Sequence, residues 1–85
     1  MLWIHDKLYT FYDHFQEQIE RRGIRIDWVE QAMLEPDRIG FSKTTGRYLY
    51  DKYIPNADVS VRAVVDEEQS MIVTAHYLRE RPDQE

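Results

Sequence analysis

Three segments in the second half of the chain limit its fold more than any other feature of the sequence. Arg47 to Ile54 carries Tyr48, Leu49, Tyr50, Tyr53 and Ile54, residues that suit a pleated, half-buried surface. Val59, Val61, Ala63 and Val65 alternate with Ser60, Arg62 and Val64, the period-two pattern of a half-buried strand. Ser70 to Leu78 alternates again, with Met71, Val73, Ala75 and Tyr77 on one face and Ile72, Thr74, His76 and Leu78 on the other. Only the turns Pro55-Asn56-Ala57-Asp58 and Asp66 to Gln69 separate these segments, and connections this short join antiparallel neighbours. Arg38 to Phe41 is a further short strand candidate. A sheet of this kind has a face to bury, and the first third of the chain must cover it.

That first third reads as helix. Leu8, Phe11, Tyr12, Phe15 and Ile19 recur at the spacing of one helical face, with a start between Asp6 and Phe11. Thr10 and Asp13 resemble a capping pair, and Gly23 is a natural stop. A second, short helix carries Trp28, Val29, Ala32 and Met33 on its apolar side, with Asp27 and Glu30 as its capping pair. Pro36 ends it, because the residue before a proline is pushed out of the α region. The expected fold is α+β, with two N-terminal helices packed on one face of a three- to four-stranded antiparallel sheet. Residues 1–85 form a single domain, and the polar tail from Glu80 to Glu85 is expected to fray.

The chain has no cysteine, which removes disulfides, Cys-ligated zinc, iron–sulfur clusters and thiol catalysis. No two histidines have close helical or strand spacing and the acidic residues form no ligand set, so neither a metal nor another cofactor is expected. No apolar run approaches the ~20 residues of a membrane span, and the N-terminus lacks the pattern of a signal peptide. No membrane association is expected, and the cytoplasm is the expected location. The net charge of −5 argues against tight, non-specific binding of nucleic acid. Its distribution matters more than its sum. Residues 1–35 carry a balance of −3, residues 36–62 of +2, and residues 63–85 of −4. The central segment, with Arg38, Lys43, Arg47, Lys52 and Arg62, is locally positive and also holds three of the six tyrosines.

The order of several short motifs is similar to a known group. Glu20-Arg21-Arg22-Gly23-Ile24 is followed by Glu35-Pro36-Asp37-Arg38-Ile39. Gly46-Arg47-Tyr48-Leu49-Tyr50, Val61-Arg62-Ala63-Val64-Val65 and Ile72-Val73-Thr74-Ala75-His76-Tyr77 come next. From about His14 to Glu80 the chain resembles the small RelE-, ParE- and BrnT-like toxin domains of the barnase–EndoU–colicin–RelE nuclease-like fold. The resemblance implies a toxin-type, metal-independent endoribonuclease of a toxin–antitoxin or mobile-element system, with RNA as substrate and a cognate antitoxin as partner. The alternative is a non-catalytic member of the same fold, acting as a protein-interaction or homodimerisation module through its Tyr-rich strand.

Metal-independent RNA cleavage needs a base for the 2′-hydroxyl, a cation for the charge that builds on phosphorus, and an acid for the leaving oxygen. The histidine matching His14 is an active-site candidate in the resembled families, whereas its bland reading is a boundary residue of a helix. His76 stands where those families usually carry Tyr, and shares a strand face with Thr74. His14 and His76 are the candidates for proton transfer and Arg47 for charge stabilisation. Arg22, Arg38, Lys43, Tyr50, Arg62 and Thr74 are the candidates for substrate binding. A solvated strand face would carry the same cations, and most of the tyrosines have a core or interface as the bland alternative. His5 reads as a solvated residue near the terminus. At least one of Trp3 and Trp28 is expected to close the small core.

Overall fold

A computed structural model describes residues 1–84; Glu85, the end of the expected frayed tail, lies outside the described residues. The chain opens with two strands, β1 (Leu2–Ile4) and β2 (Lys7–Phe11), before helices α1 (Phe15–Arg22) and α2 (Ile26–Leu34). Strands β3 (Arg38–Ser42), β4 (Arg47–Ile54), β5 (Val59–Asp66) and β6 (Met71–Leu78) follow. All six strands form one sheet in the order β1-β2-β6-β5-β4-β3. Neighbours are antiparallel except β2 and β6, which run parallel through Thr10–Met71 and Phe11–Ile72.

The expectation of two N-terminal helices on a three- to four-stranded antiparallel sheet is therefore corrected. The sheet has six strands and is mixed, and a hairpin precedes the helices. The physical reason lies in Lys7 to Phe11. Its apolar residues fit a helical spacing, but the chain buries Tyr9 and half-buries Phe11 by strand alternation, leaving Leu8 and Tyr12 exposed. The hairpin turns at His5 and Asp6, both in the left-handed region with φ of 50° and 65°. Two consecutive positive φ values are what the twist of a two-residue hairpin requires. His14 is also left-handed, with φ 69°, and breaks the chain between β2 and α1. The helix expected from between Asp6 and Phe11 thus starts at Phe15.

Gly23, at φ 71°, ends α1, and its N–H bonds back to the Glu20 carbonyl. α1 runs beside β6 beyond the point where β2 stops. Arg22 Nη1 donates to the Ala75 carbonyl at 2.7 Å and to Thr74 Oγ1 at 3.1 Å, and the Tyr77 hydroxyl donates to the Gly23 carbonyl at 2.7 Å. These bonds join the helix to the last strand where strand pairing is absent.

The core lies on one face of the sheet. Val61, Ala63, Val65, Ile72 and Ala75 pack there against Phe15, Ile19, Val29, Ala32 and Met33 from the helices. Trp28 packs against this core from α2, whereas Trp3 is 66% exposed. The sheet curls toward the helices, so that Tyr9 of β2 and Tyr50 of β4 meet at one carboxylate, Glu67. Among the described residues no helix is long and apolar enough to cross a membrane.

Candidate functional site

The other face of the sheet carries no helix. Strand register builds a single row across it: Arg38 of β3 faces Asp51 of β4, Asp51 faces Arg62 of β5, and Arg62 faces His76 of β6. Directly opposed residues share a face and lie close enough to touch. A second row, Gly40, Leu49, Val64 and Thr74, lies beside it.

Asp51 is the anchor. It is only 1% exposed, and every contact that neutralises it comes from the row. Arg62 binds it in a fork, with Nε on Oδ1 at 2.7 Å and Nη2 on Oδ2 at 2.9 Å. Arg38 Nε reaches Oδ2 at 3.0 Å, with Nη2 at 2.9 Å. Burial pushes the Asp51 carboxyl up, but the hydrogen bonds from Arg62 and Arg38 outweigh it and hold the group below the ordinary carboxylate value. The same bonds raise both guanidiniums, and Arg38 gains a little more from Glu80 Oε2 at 3.6 Å. Two guanidiniums share the buried carboxylate, and Glu80 adds a second negative charge at the Arg38 end, so the uncompensated positive charge lies toward Arg62. The fork fixes the plane of Arg62 through one edge and leaves its Nη1 without a partner among the described residues.

His76 is half-buried at the β6 end of the row, its Nδ1 3.2 Å from the Tyr77 carbonyl. Thr74 lies one row away on the same face. Its hydroxyl donates to Gln18 Oε1 and accepts from Arg22, which ties α1 to this end of the site. The C-terminal segment crosses the opposite end. Glu80 reaches Arg38, the Arg81 guanidinium sits 3.7 Å above the Tyr53 ring, and Pro82 is buried.

The residues singled out in the sequence separate into groups. Arg38, Arg62, Thr74 and His76 come together on the open face. Arg22 reaches Thr74 but spends its bonds on the β6 edge. Arg47, at the start of β4 and opposite Ser42, shares the face two rows away, with no hydrogen bond or ion pair among the described residues. Lys43 is exposed in the turn before β4. Tyr50 points to the helix side. His14 sits in the left-handed position ahead of α1, and its Nδ1 lies 3.1 Å from Glu17. It shares no hydrogen-bond partner with His76 among the described residues. His5 Nε2 meets the Leu34 carbonyl at 3.0 Å.

Two acidic residues that organise polar clusters were not singled out in the sequence. Asp51 had a visible signal, since a carboxylate inside the aromatic run Tyr48 to Ile54 is unfavourable in a strand unless it is paired. Glu67, in the turn after β5, accepts from Lys7 at 3.0 Å, from Tyr9 at 2.6 Å and from Tyr50. Burial pushes Glu67 up, and the hydrogen bonds from Tyr50, Tyr9 and Lys7 bring it below its ordinary value. Burial, then the bond to Glu67, raises both tyrosines. This cluster lies on the helix side, away from the row. Among the described residues no group of three His, Asp or Glu side chains is placed to hold a metal ion.

Comparison with curated proteins and with solved structures gives no match. A family model does match, over residues 11–77, from the end of β2 into β6 and across the whole Arg38–His76 row, and the chain belongs to that family, Domain of unknown function (DUF4258).

Proposed function

We propose that this chain is a metal-independent endoribonuclease of toxin type, held in check by a cognate antitoxin in the cytoplasm and working on the open face of the sheet. One observation carries the reading: His76 stands directly opposite a guanidinium, Arg62, that is fixed in plane by a buried carboxylate. His76 takes the proton of the 2′-hydroxyl as that oxygen attacks phosphorus. The O2′–P bond forms, the P–O5′ bond breaks, and a 2′,3′-cyclic phosphate remains. The 5′ oxygen takes its proton from solvent, which the open face admits. Arg62, through its free Nη1, meets the charge on the non-bridging oxygens, and Arg38 and Arg47 lie along the path of the strand. An arginine already held in place loses little freedom on meeting phosphate, which suits a transition state better than a flexible cation does. His14 has no part in this mechanism.

The test is cleavage of single-stranded RNA by the purified chain in the presence of a chelator. His76→Ala should lower the rate by about 100-fold or more, the usual scale for losing a positioned proton-transfer group. Its melting temperature should stay unchanged, and induced expression should arrest growth with the parent but not with the variant. Absence of cleavage and normal growth would defeat the reading. They would favour the non-catalytic alternative, an interaction module, for which the apolar residues on β3 speak.

A further inference from the structure

The sheet has two free edges, and they are unlike. The β1 edge is three residues long. The β3 edge is five residues long, Arg38-Ile39-Gly40-Phe41-Ser42, and lacks the usual protection of a lysine, proline or bulge. Its single charge, Arg38, is turned onto Asp51. Ile39 is 57% exposed and Phe41 53% exposed, and both lie on the helix side of the sheet. The Phe41 ring is already ordered against Tyr48, with centroids 4.9 Å apart. Beside Ile39 opens a cavity of about 250 Å³ with Met33, Pro36 and Tyr50 in its wall.

We propose that β3 pairs antiparallel with β3 of a second copy of this chain, about a two-fold axis at Gly40. The proposal is independent of the catalytic reading, because dimerisation through this edge needs no nuclease activity. Register decides between a second copy and a less defined partner. A two-fold normal to the sheet opposes residues of the same face, so only shifts of two residues are allowed. With Gly40 opposite Gly40, Ile39 meets Phe41 of the other copy and Arg38 meets Ser42. Every opposed pair is then compatible in polarity. One shift in one direction puts Phe41 against Asp37, and in the other puts Ile39 against Lys43. The strand is self-complementary in one register only, the property an isologous interface needs. In that register each Phe41 lies over the cavity beside the other copy's Ile39.

The area sets the strength. Covering the exposed parts of Ile39, Phe41 and Tyr48 removes about 300 Å² per protomer, using ~150–250 Å² for a whole aromatic side chain. With the strand backbone added, the total falls at or below the ~1,200 Å² that begins the range of stable interfaces. The dimer is therefore weak, and reversible over micromolar to millimolar concentrations.

Sedimentation equilibrium across that range should show the 10.3 kDa chain approaching twice its mass. Phe41→Asp should weaken association at least about tenfold, on the scale of losing a central aromatic anchor. Trp3→Ser, at the opposite edge, should leave association unchanged. A second variant reads the register directly. The chain has no cysteine, and a Cβ at Gly40 finds only Leu49, at 3.7 Å, so Gly40→Cys introduces a single tolerated thiol. Opposed residues on a two-fold lie within disulfide range, so mild oxidation should give a covalent dimer of Gly40→Cys and little from Lys43→Cys. The proposal is overturned by a parent chain that stays monomeric to millimolar concentration. It is equally overturned by association that survives Phe41→Asp or is lost in Trp3→Ser, or by a Lys43→Cys variant that crosslinks as readily as Gly40→Cys.

Discussion

Asp51→Asn tests whether the row across the open face is held by its buried carboxylate. The substitution keeps the shape and removes the charge. It also turns one acceptor oxygen into an N–H₂ donor that faces the donors of Arg38 and Arg62. Removing one partner of a buried ion pair costs about 3–5 kcal/mol when the other is left in a dry interior. Here the stranded groups reach water, since the Arg38 and Arg62 side chains are 39% and 25% exposed, so the loss should be nearer ~2–3 kcal/mol. For a chain of this length that lowers the melting temperature by roughly 10–20 °C. It lowers the urea midpoint by about 2–3 M for a slope near ~1 kcal/mol/M. The effect has a pH signature. The folded carboxyl lies below its unfolded value, so its contribution is complete above the unfolded value and disappears as pH falls through the folded one. The difference between parent and variant should therefore be constant at neutral pH and shrink below about pH 4. The double variant Asp51→Leu with Arg62→Met should recover much of the loss, because no buried charge is then stranded and Arg38 retains water and Glu80. A loss below ~0.5 kcal/mol for Asp51→Asn would refute the reasoning, since it would mean that water serves both guanidiniums as well as Asp51 does.

The tyrosines give an independent readout. Tyr9 and Tyr50 are raised above the ordinary value by burial and by Glu67, so spectrophotometric titration should show two tyrosines ionising above the ordinary tyrosine range. Glu67→Gln should bring both down, and unchanged titration would remove Glu67 as a cause. A group raised on folding contributes stability that is complete below its unfolded value, here about 10, and lost above it, so the urea midpoint of the parent should fall above pH 10. Gly23→Ala places a side chain at φ 71° with Tyr77 Oη no nearer than 3.9 Å, so backbone strain alone should cost about 1 kcal/mol by urea unfolding.

How much of this was legible in the sequence depends on the range of the forces that fix each element. The strand at Arg47–Ile54 and the turn at Pro55 to Asp58 follow from local preference, and the structure agrees with them. The first hairpin was not legible, because its turn uses His5 and Asp6 where the usual signal is glycine or asparagine. The period-two face of Lys7, Tyr9 and Phe11 competes with a helical spacing of equal apparent quality. The contest is settled by pairing with β6, some sixty residues away along the chain. Arg38, Arg62, Thr74 and His76 could be named from composition and resemblance, but their meeting is a matter of register, which no local pattern contains.

The last strand makes the point most sharply. Simple alternation puts Ile72, Thr74 and His76 on one face. Ile72 is fully buried in the core, so alternation alone would carry His76 inward with it. The register shifts at Val64/Val65: Val65 faces Ile72, Val64 faces Thr74, and Val73 is the extra residue between them. This bulge reverses the parity of the strand. It seats Ile72 against the helices and, in the same strand, turns Thr74 and His76 out to the arginines. The candidate site is therefore a product of the bulge as much as of the residues that line it. Deleting Val73 would leave Ile72 and His76 three positions apart, so plain alternation would keep Ile72 inward and His76 opposite Arg62, and activity that depends on that placement should survive. Inserting one alanine after Thr74 should instead carry His76 inward, off the row, and abolish that activity.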